Sequence, residues 1–485
     1  MKSSKKTVVL VVAVLLLIVS VLAGCGSGKE VKDGEKSDPT SNLTDQGKEA
    51  EQPKDNLYDN GLSKDDKVSL KIAAADQGYG KEMYEFAVAK FMEMYPNVKI
   101  ELTASPKIND IVSAKVAAND DNDMFDLVLG KYGFNTSMIK GGLVEDLTDV
   151  LDLPTWDNKD VKFGADLMES AKNLYMYDGK LRLIPLDLSL IGIVYNKKMF
   201  VENGWNENPK TWDEFLKLCE TIKNSGKTVP FAFGGTVGYL PWMTNMAAIY
   251  HDGWLDRYVK REKGIYSDPA NLSPLVKLKQ LKDKGYFLKG TEALDHTQSQ
   301  MEFLQGKAAM IPTGSWIENE MKNSAPADFQ YGFMLQPIND KPVTTRYIQG
   351  FAIGLWMYEK KPDLSKKWTK EFIRYYYSKA VQGKFIQNGG IPVMKSMQID
   401  ESMLQLASPF NREVMTLLSS NVELNLAFSM LPPDKLTANP KYPDAENKVM
   451  SNGYLEVYMG IKTPEQVGAE ADAEIEKAWA EVGGR

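Results

Sequence analysis

Two cysteines and two histidines are all that the 485 residues contain. With Cys25 and Cys219 as the only thiols, a multi-disulfide framework and a thiolate zinc site are excluded. His251 and His296 cannot build a histidine-rich metal centre. No H-E-x-x-H, C-x-x-C or G-x-S-x-G occurs, so the signatures of zinc proteases, dithiol redox proteins and serine hydrolases are missing. Gly226-Lys227-Thr228 imitates the end of a phosphate-binding loop, but Thr221 stands where that loop needs a glycine. Asp120-Asp121-Asn122-Asp123 lacks the glycine and distal glutamate of an EF-hand, and a solvated acidic turn is the simpler reading. The formal charge of −7 leaves no basic footprint for nucleic acid. No repeat of 20–50 residues is evident. Catalytic residues, a cofactor and a metal are therefore not expected.

What is present begins at the N-terminus. Lys2, Lys5 and Lys6 precede an apolar run from Thr7 to Val21, broken only by Ser20. About 15 helical residues span roughly 22 Å, short of a ~30 Å hydrocarbon core, so residues 1–24 read as a secretory signal peptide. Leu22-Ala23-Gly24-Cys25 resembles the lipobox of bacterial lipoproteins, in which the cysteine is lipidated and becomes the first mature residue. Removing residues 1–24 takes away three lysines and no carboxylate, so −7 becomes −10. Cys219 is then left without a partner in the monomer and reads as a small buried apolar residue on a helix. From 26 to about 64 the chain is rich in Lys, Glu, Asp, Gly, Ser and Gln, with scattered apolar residues such as Val31, Leu43 and Leu57. Such a segment cannot bury enough surface to order itself. Residues 25–65 are expected to be a flexible tether with a reach of roughly 35 Å. Lipid and tether together suit the outer face of a cell membrane without a second membrane beyond it, a Gram-positive arrangement.

The folded part opens with Val68-Ser69-Leu70-Lys71-Ile72, which alternates as a half-buried strand does. Met83, Ala87, Phe91 and Met94 then follow at helical spacing. Val98-Lys99-Ile100-Glu101-Leu102 predicts a second strand, residues 108–118 a helix, and Asp126-Leu127-Val128-Leu129 a third strand. The order β-α-β-α-β predicts an α/β domain with a largely parallel sheet. Ligands bind beyond the carboxyl ends of such strands, which puts residues 76–79 and 130–134 at a candidate rim. Thr211-Trp212-Asp213-Glu214 and Thr463-Pro464-Glu465-Gln466 have the form of capping boxes. Trp212 and Trp368 fall in helical apolar stripes and are assigned to packing.

Five further segments carry a family resemblance. They are Gly179-Lys180 with Pro185 and Tyr195-Asn196-Lys197-Lys198-Met199-Phe200; Pro209-Lys210-Thr211-Trp212-Asp213-Glu214-Phe215; Phe303-Leu304-Gln305-Gly306-Lys307-Ala308-Ala309-Met310 with Gly314-Ser315-Trp316; Gly389-Gly390-Ile391-Pro392-Val393; and Thr463-Pro464-Glu465. In this order, behind a lipobox, the chain resembles the maltose-binding-protein-like extracellular solute-binding proteins of carbohydrate ABC transporters. That resemblance implies a two-lobed α/β fold of the periplasmic-binding-protein type II class, with the ligand in a cleft between lobes. It implies lobes of 66–187 with 345–378 and of 188–344 with 379–485, crossing near 186–190, 340–345 and 378–383. It also implies a carbohydrate ligand, permease subunits as partners, and a monomer.

The same resemblance supplies the candidate binding residues. Asp76 and Gln77 match positions that bond sugar hydroxyls, the alternative being a turn that merely caps the next helix. Asp187 corresponds to a polar hinge-side position. Trp242, after the strand Phe231-Ala232-Phe233, and Trp316, beside Ser315 in the G-x-W segment, match positions that offer aromatic plates. After the third strand the maltose-binding pattern has an aromatic and an acid; here Gly130 and Gly133 stand, with Lys131 and Tyr132 as the replacements. Arg346 and Gln349, before Gly350, are further candidates. A binding protein for a non-sugar solute shares every one of these motifs. An extracellular glycosidase, which needs only two acids, is the enzymatic rival.

Overall fold

The computed structural model describes residues 56–76, 78–237, 243–418, 422–426, 436 and 442–485, with the backbone alone of 442–448 and 451. The signal peptide, Cys25, Gln77 and Trp242 lie outside the described residues.

The expected first strands form as β1 (Val68–Ala75), β2 (Val98–Ser105) and β3 (Leu127–Leu129), with helices Glu82–Met94 and Ile108–Ala118 between them. Both β2 and β3 pair with β1 in parallel. A short hairpin, β4 (Met176–Tyr177) and β5 (Lys180–Leu181), precedes β6 (Ile184–Asn196). The remaining strands are β7 (Val229–Phe231), β8 (Ala308–Gly314), β9 (Tyr331–Met334), β10 (Arg346–Met357) and β11 (Val422–Asn425). The large sheet runs β2-β1-β3-β10-β6-β8-β7, with β9 beside β6 and β11 beside β10. It is mixed, not largely parallel, because β10 and β6 run antiparallel to each other and β10 antiparallel to β3.

Those two long strands join the halves of the molecule. β6 pairs with β10 up to Ile191 and with β8 from Ile191 onward. β10 pairs with β11 over Arg346 to Gln349 and with β3 at Trp356 and Met357. The apolar cores do not divide so cleanly: the largest joins Leu70, Phe91, Leu127, Trp356 and Trp368 to Trp316, Tyr331, Phe333 and Phe410, while a second gathers Ile193, Trp212, Phe215, Phe231, Met310 and Tyr454, and a smaller third holds Trp254, Tyr266 and Ile475.

Two expected boundaries move. The second crossing lies inside β10, which is long enough to serve both halves, and not in the loop before it. Residues 379–404, expected with the second lobe, pack against the first. The Phe385 ring meets Tyr79 edge-on at 5.0 Å, Asn388 donates to the Tyr79 carbonyl at 2.8 Å, and Ile391 bridges to Leu188. The chain returns to the second half only at the helix Pro409–Leu417, whose Phe410 packs on Tyr331 and Phe333.

Residues 56–65, expected in the tether, belong to the fold instead. Leu57 bridges to Ser63, and the Tyr58 ring stands edge-on to Tyr95 and Trp368 while its hydroxyl donates to Asn97. One aromatic residue is enough to dock a polar segment when two rings already wait for it. Thr463 and Gln466 form the full reciprocal capping box. At Thr211 only half of it forms: the hydroxyl accepts from Glu214 N–H, while the Glu214 carboxylate turns to Lys210 N–H. Cys219 is fully buried, and burial pushes its thiol up.

Candidate functional site

The register of β6 against β10 sets the site. Ile191 faces Gln349, Ser189 faces Phe351 and Asp187 faces Ile353. Directly paired residues of an antiparallel ladder project to one face, so Asp187, Ser189, Phe351 and Gln349 share a face where the chain passes between halves. Along β10 that face reads Tyr347, Gln349, Phe351, Ile353. Phe351 and Ile353 are only half-buried although both neighbouring strands are packed, as residues facing a cleft would be.

Loops beyond the carboxyl ends of β1 and β3 close over this face. The Tyr79 hydroxyl lies 3.1 Å from Ser189 Oγ. Tyr132 is held by its carbonyl, which accepts from the Trp356 indole N–H at 3.2 Å, while its phenol has no hydrogen-bond partner among the described residues. Gly130 makes room for it: φ is +131°, and a Cβ there would collide with the Tyr132 ring. Gly314 does the same for Trp316. From the second half, Asn319 donates to the Gly78 carbonyl at 2.5 Å, so the two halves touch at the rim.

Asp187 is the chemical centre of this arrangement. It is 3% exposed and accepts one hydrogen bond, from Ile353 N–H at 3.3 Å, where the register slips between Ile353 and Gly354. Burial without a counter-ion pushes its carboxyl up to about 7. Burial first, and then the Asp187 charge, push the Tyr132 phenol up to about 12.

The other candidate residues take different places. Asp76 is half-buried at the end of β1, and the helix Glu82–Met94 starts without a side-chain cap, so Asp76 does not cap it. Gln349 is 4% exposed and its Oε1 is buried with no partner. Ser315 is fully buried and clips β8 to β6, its N–H donating to the Leu190 carbonyl and its Oγ accepting from Leu190 N–H. Trp316 is 8% exposed and packs on Phe351, ring centroids 5.8 Å apart. Arg346 is tied to Asn208 and the Leu335 carbonyl, away from Asp187. The structure thus brings Asp187, Tyr132, Gln349 and Trp316 towards one face, while Ser315, besides clipping the backbone, interacts with the Tyr79 phenol. Tyr79, Ser189 and Phe351 join them without having been singled out; the alternation Tyr347, Gln349, Phe351 in an otherwise apolar strand was the available signal.

Comparison with known proteins agrees with this architecture. The diacetylchitobiose binding protein NgcE of Streptomyces coelicolor is 26% identical over 325 residues, covering 65% of this chain and 67% of that protein. The multiple sugar-binding protein of Streptococcus mutans is 25% identical, covering 70% of this chain and 78% of its own. Among solved structures, a chitin oligosaccharide binding protein superposes with a TM-score of 0.65 at 24% identity, covering 85% of this chain and 99% of that one. Its fold, two lobes of mixed α/β structure, is the fold of this chain. The sequence profile described as bacterial extracellular solute-binding protein matches residues 87–405, and the chain belongs to that family.

Proposed function

We propose that the protein captures a sugar or short oligosaccharide outside the cytoplasm and passes it, unchanged, to the permease of an ABC importer. The observation that carries this reading is the row of polar and aromatic side chains on the strands that join the lobes: Asp187 with a single hydrogen bond, Gln349 with its buried Oε1 unpartnered among the described residues, and the half-buried Phe351, with Tyr132 from the loop after β3. Sugars present apolar C–H faces edged with hydroxyls, which such a row matches. The sugar ligands in the names of both sequence relatives support it. Residues on both lobes touch the ligand only when the lobes are together, so binding favours closure. A glycosidase would need a second acid paired with the first across the scissile bond, and conversion of the ligand in the titration below would reveal one.

Cys25 carries the lipid in this proposal and the chain acts as a monomer on the outer face of a Gram-positive cell membrane. Cys25→Ser should abolish fatty-acid labelling; label that persists overturns the anchor. For capture itself, the mature chain is titrated with neutral mono- to tetrasaccharides. Saturable one-to-one binding, with the ligand recovered intact, is expected. Absence of any response, or catalytic conversion of the ligand, overturns the reading.

A further inference from the structure

Among the described residues, six phenols and no cation bear on Asp187. Tyr79 follows β1, Tyr84 lies on the helix after it, Tyr132 follows β3, Tyr175 precedes β4, and Tyr376 and Tyr377 end the helix Asp363–Tyr376. Four of them have other partners. Tyr79 meets Ser189, Tyr175 donates to the Ala352 carbonyl, Tyr377 to the Pro185 carbonyl, and Tyr376 to the Met83 sulfur. None of the six hydrogen-bonds the carboxylate, whose single donor is Ile353 N–H. A buried carboxylate is ordinarily paired. Here the protein supplies burial and aromatic walls and leaves out the counter-charge.

A carboxylate beside the face of a half-buried tyrosine is how proteins hold ammonium groups: the acid pairs with the charge and the ring attracts it. We propose that the position facing Asp187 and Tyr132 takes a protonated amine, so that the ligand class is an amino sugar whose nitrogen is free and not acylated. This rests on the sugar-capture reading and narrows it. Neutral saccharides can still occupy the cleft through Gln349 and the aromatic plates, but they leave the acid unpaired.

The test is calorimetric titration of the mature chain with the β-1,4-linked glucosamine disaccharide and with its N,N′-diacetyl counterpart. The free amine is expected to bind at least tenfold more tightly. At pH 6 its binding should release close to one proton, read from titrations in two buffers of different ionisation heat, because pairing strips Asp187 of the proton that burial lets it keep. Asp187→Asn, close to isosteric, should lose the preference and the proton release, with circular dichroism checking that it folds. Equal or tighter binding of the diacetyl form, or a preference that survives in Asp187→Asn, overturns the inference and leaves sugar capture standing. Failure of both disaccharides and of all the neutral sugars overturns both.

Discussion

Two acids of the first half are buried almost equally and treated oppositely. Glu145 is 8% exposed and Asp187 3%. Glu145 meets two lysines one helical turn apart, Lys366 Nζ at 2.6 Å and Lys370 Nζ at 3.1 Å, with Glu359 and Asp149 beyond them. Burial works against its charge, yet these partners hold its carboxyl below the usual range. Asp187 has no such partner among the described residues. In the proposed reading, the contrast separates a charge kept for the fold from one kept for something that arrives later. The first completes itself inside the protein; the second is complete only with a ligand or a proton.

The contrast can be broken most forcefully at Glu145. Replacing both Lys366 and Lys370 by Met strands a buried charge, and such losses cost about 3–5 kcal/mol. Urea melts check this. A loss under about 1 kcal/mol would mean that Glu145 tolerates isolation as Asp187 does, and the distinction would vanish.

The next test uses pH. Folded and ligand-free, Asp187 keeps its proton up to about 7, while the unfolded chain releases it near 3.8. Between those values the folded state binds more protons, so stability falls as pH rises. Relative to Asp187→Asn, the wild type should lose on the order of 1.4 kcal/mol per pH unit across that window. A difference that stays flat from pH 4 to 7 would show that Asp187 ionises at no cost.

The smallest effect belongs to Tyr132→Phe. The phenol has no partner among the described residues, so thermal stability should change within about 0.5 kcal/mol. Affinity for saccharide should fall several-fold, by one hydrogen bond of about 1 kcal/mol. Unchanged affinity would remove the hydroxyl from the site and leave only the ring.

How far the sequence could be read depends on the range of the signal. The strands from Val68 and Val98, the buried Trp368 and the capping box at Thr463 are local periodicities or four-residue patterns, and each is found in place. The docking of Tyr58 was invisible because its rings come from Tyr95 and Trp368, far along the chain. The return of residues 379–404 to the first lobe was hidden for the same reason: Phe385 finds Tyr79 across more than 300 residues. At the site, Asp187 was legible as a polar residue near a crossing. Its isolation was not, since that follows from the six phenols around it and from no property of its neighbours in sequence.

The docked turn at Tyr58 decides which half bears a load. Eight residues of β1, roughly 26 Å, separate that turn from Asp76 at the rim. Any pull from the chain before residue 56 therefore enters at the back of the first lobe, behind the strands and not across them. In the proposed anchoring and closure, tension entering at that turn would do no work against capture.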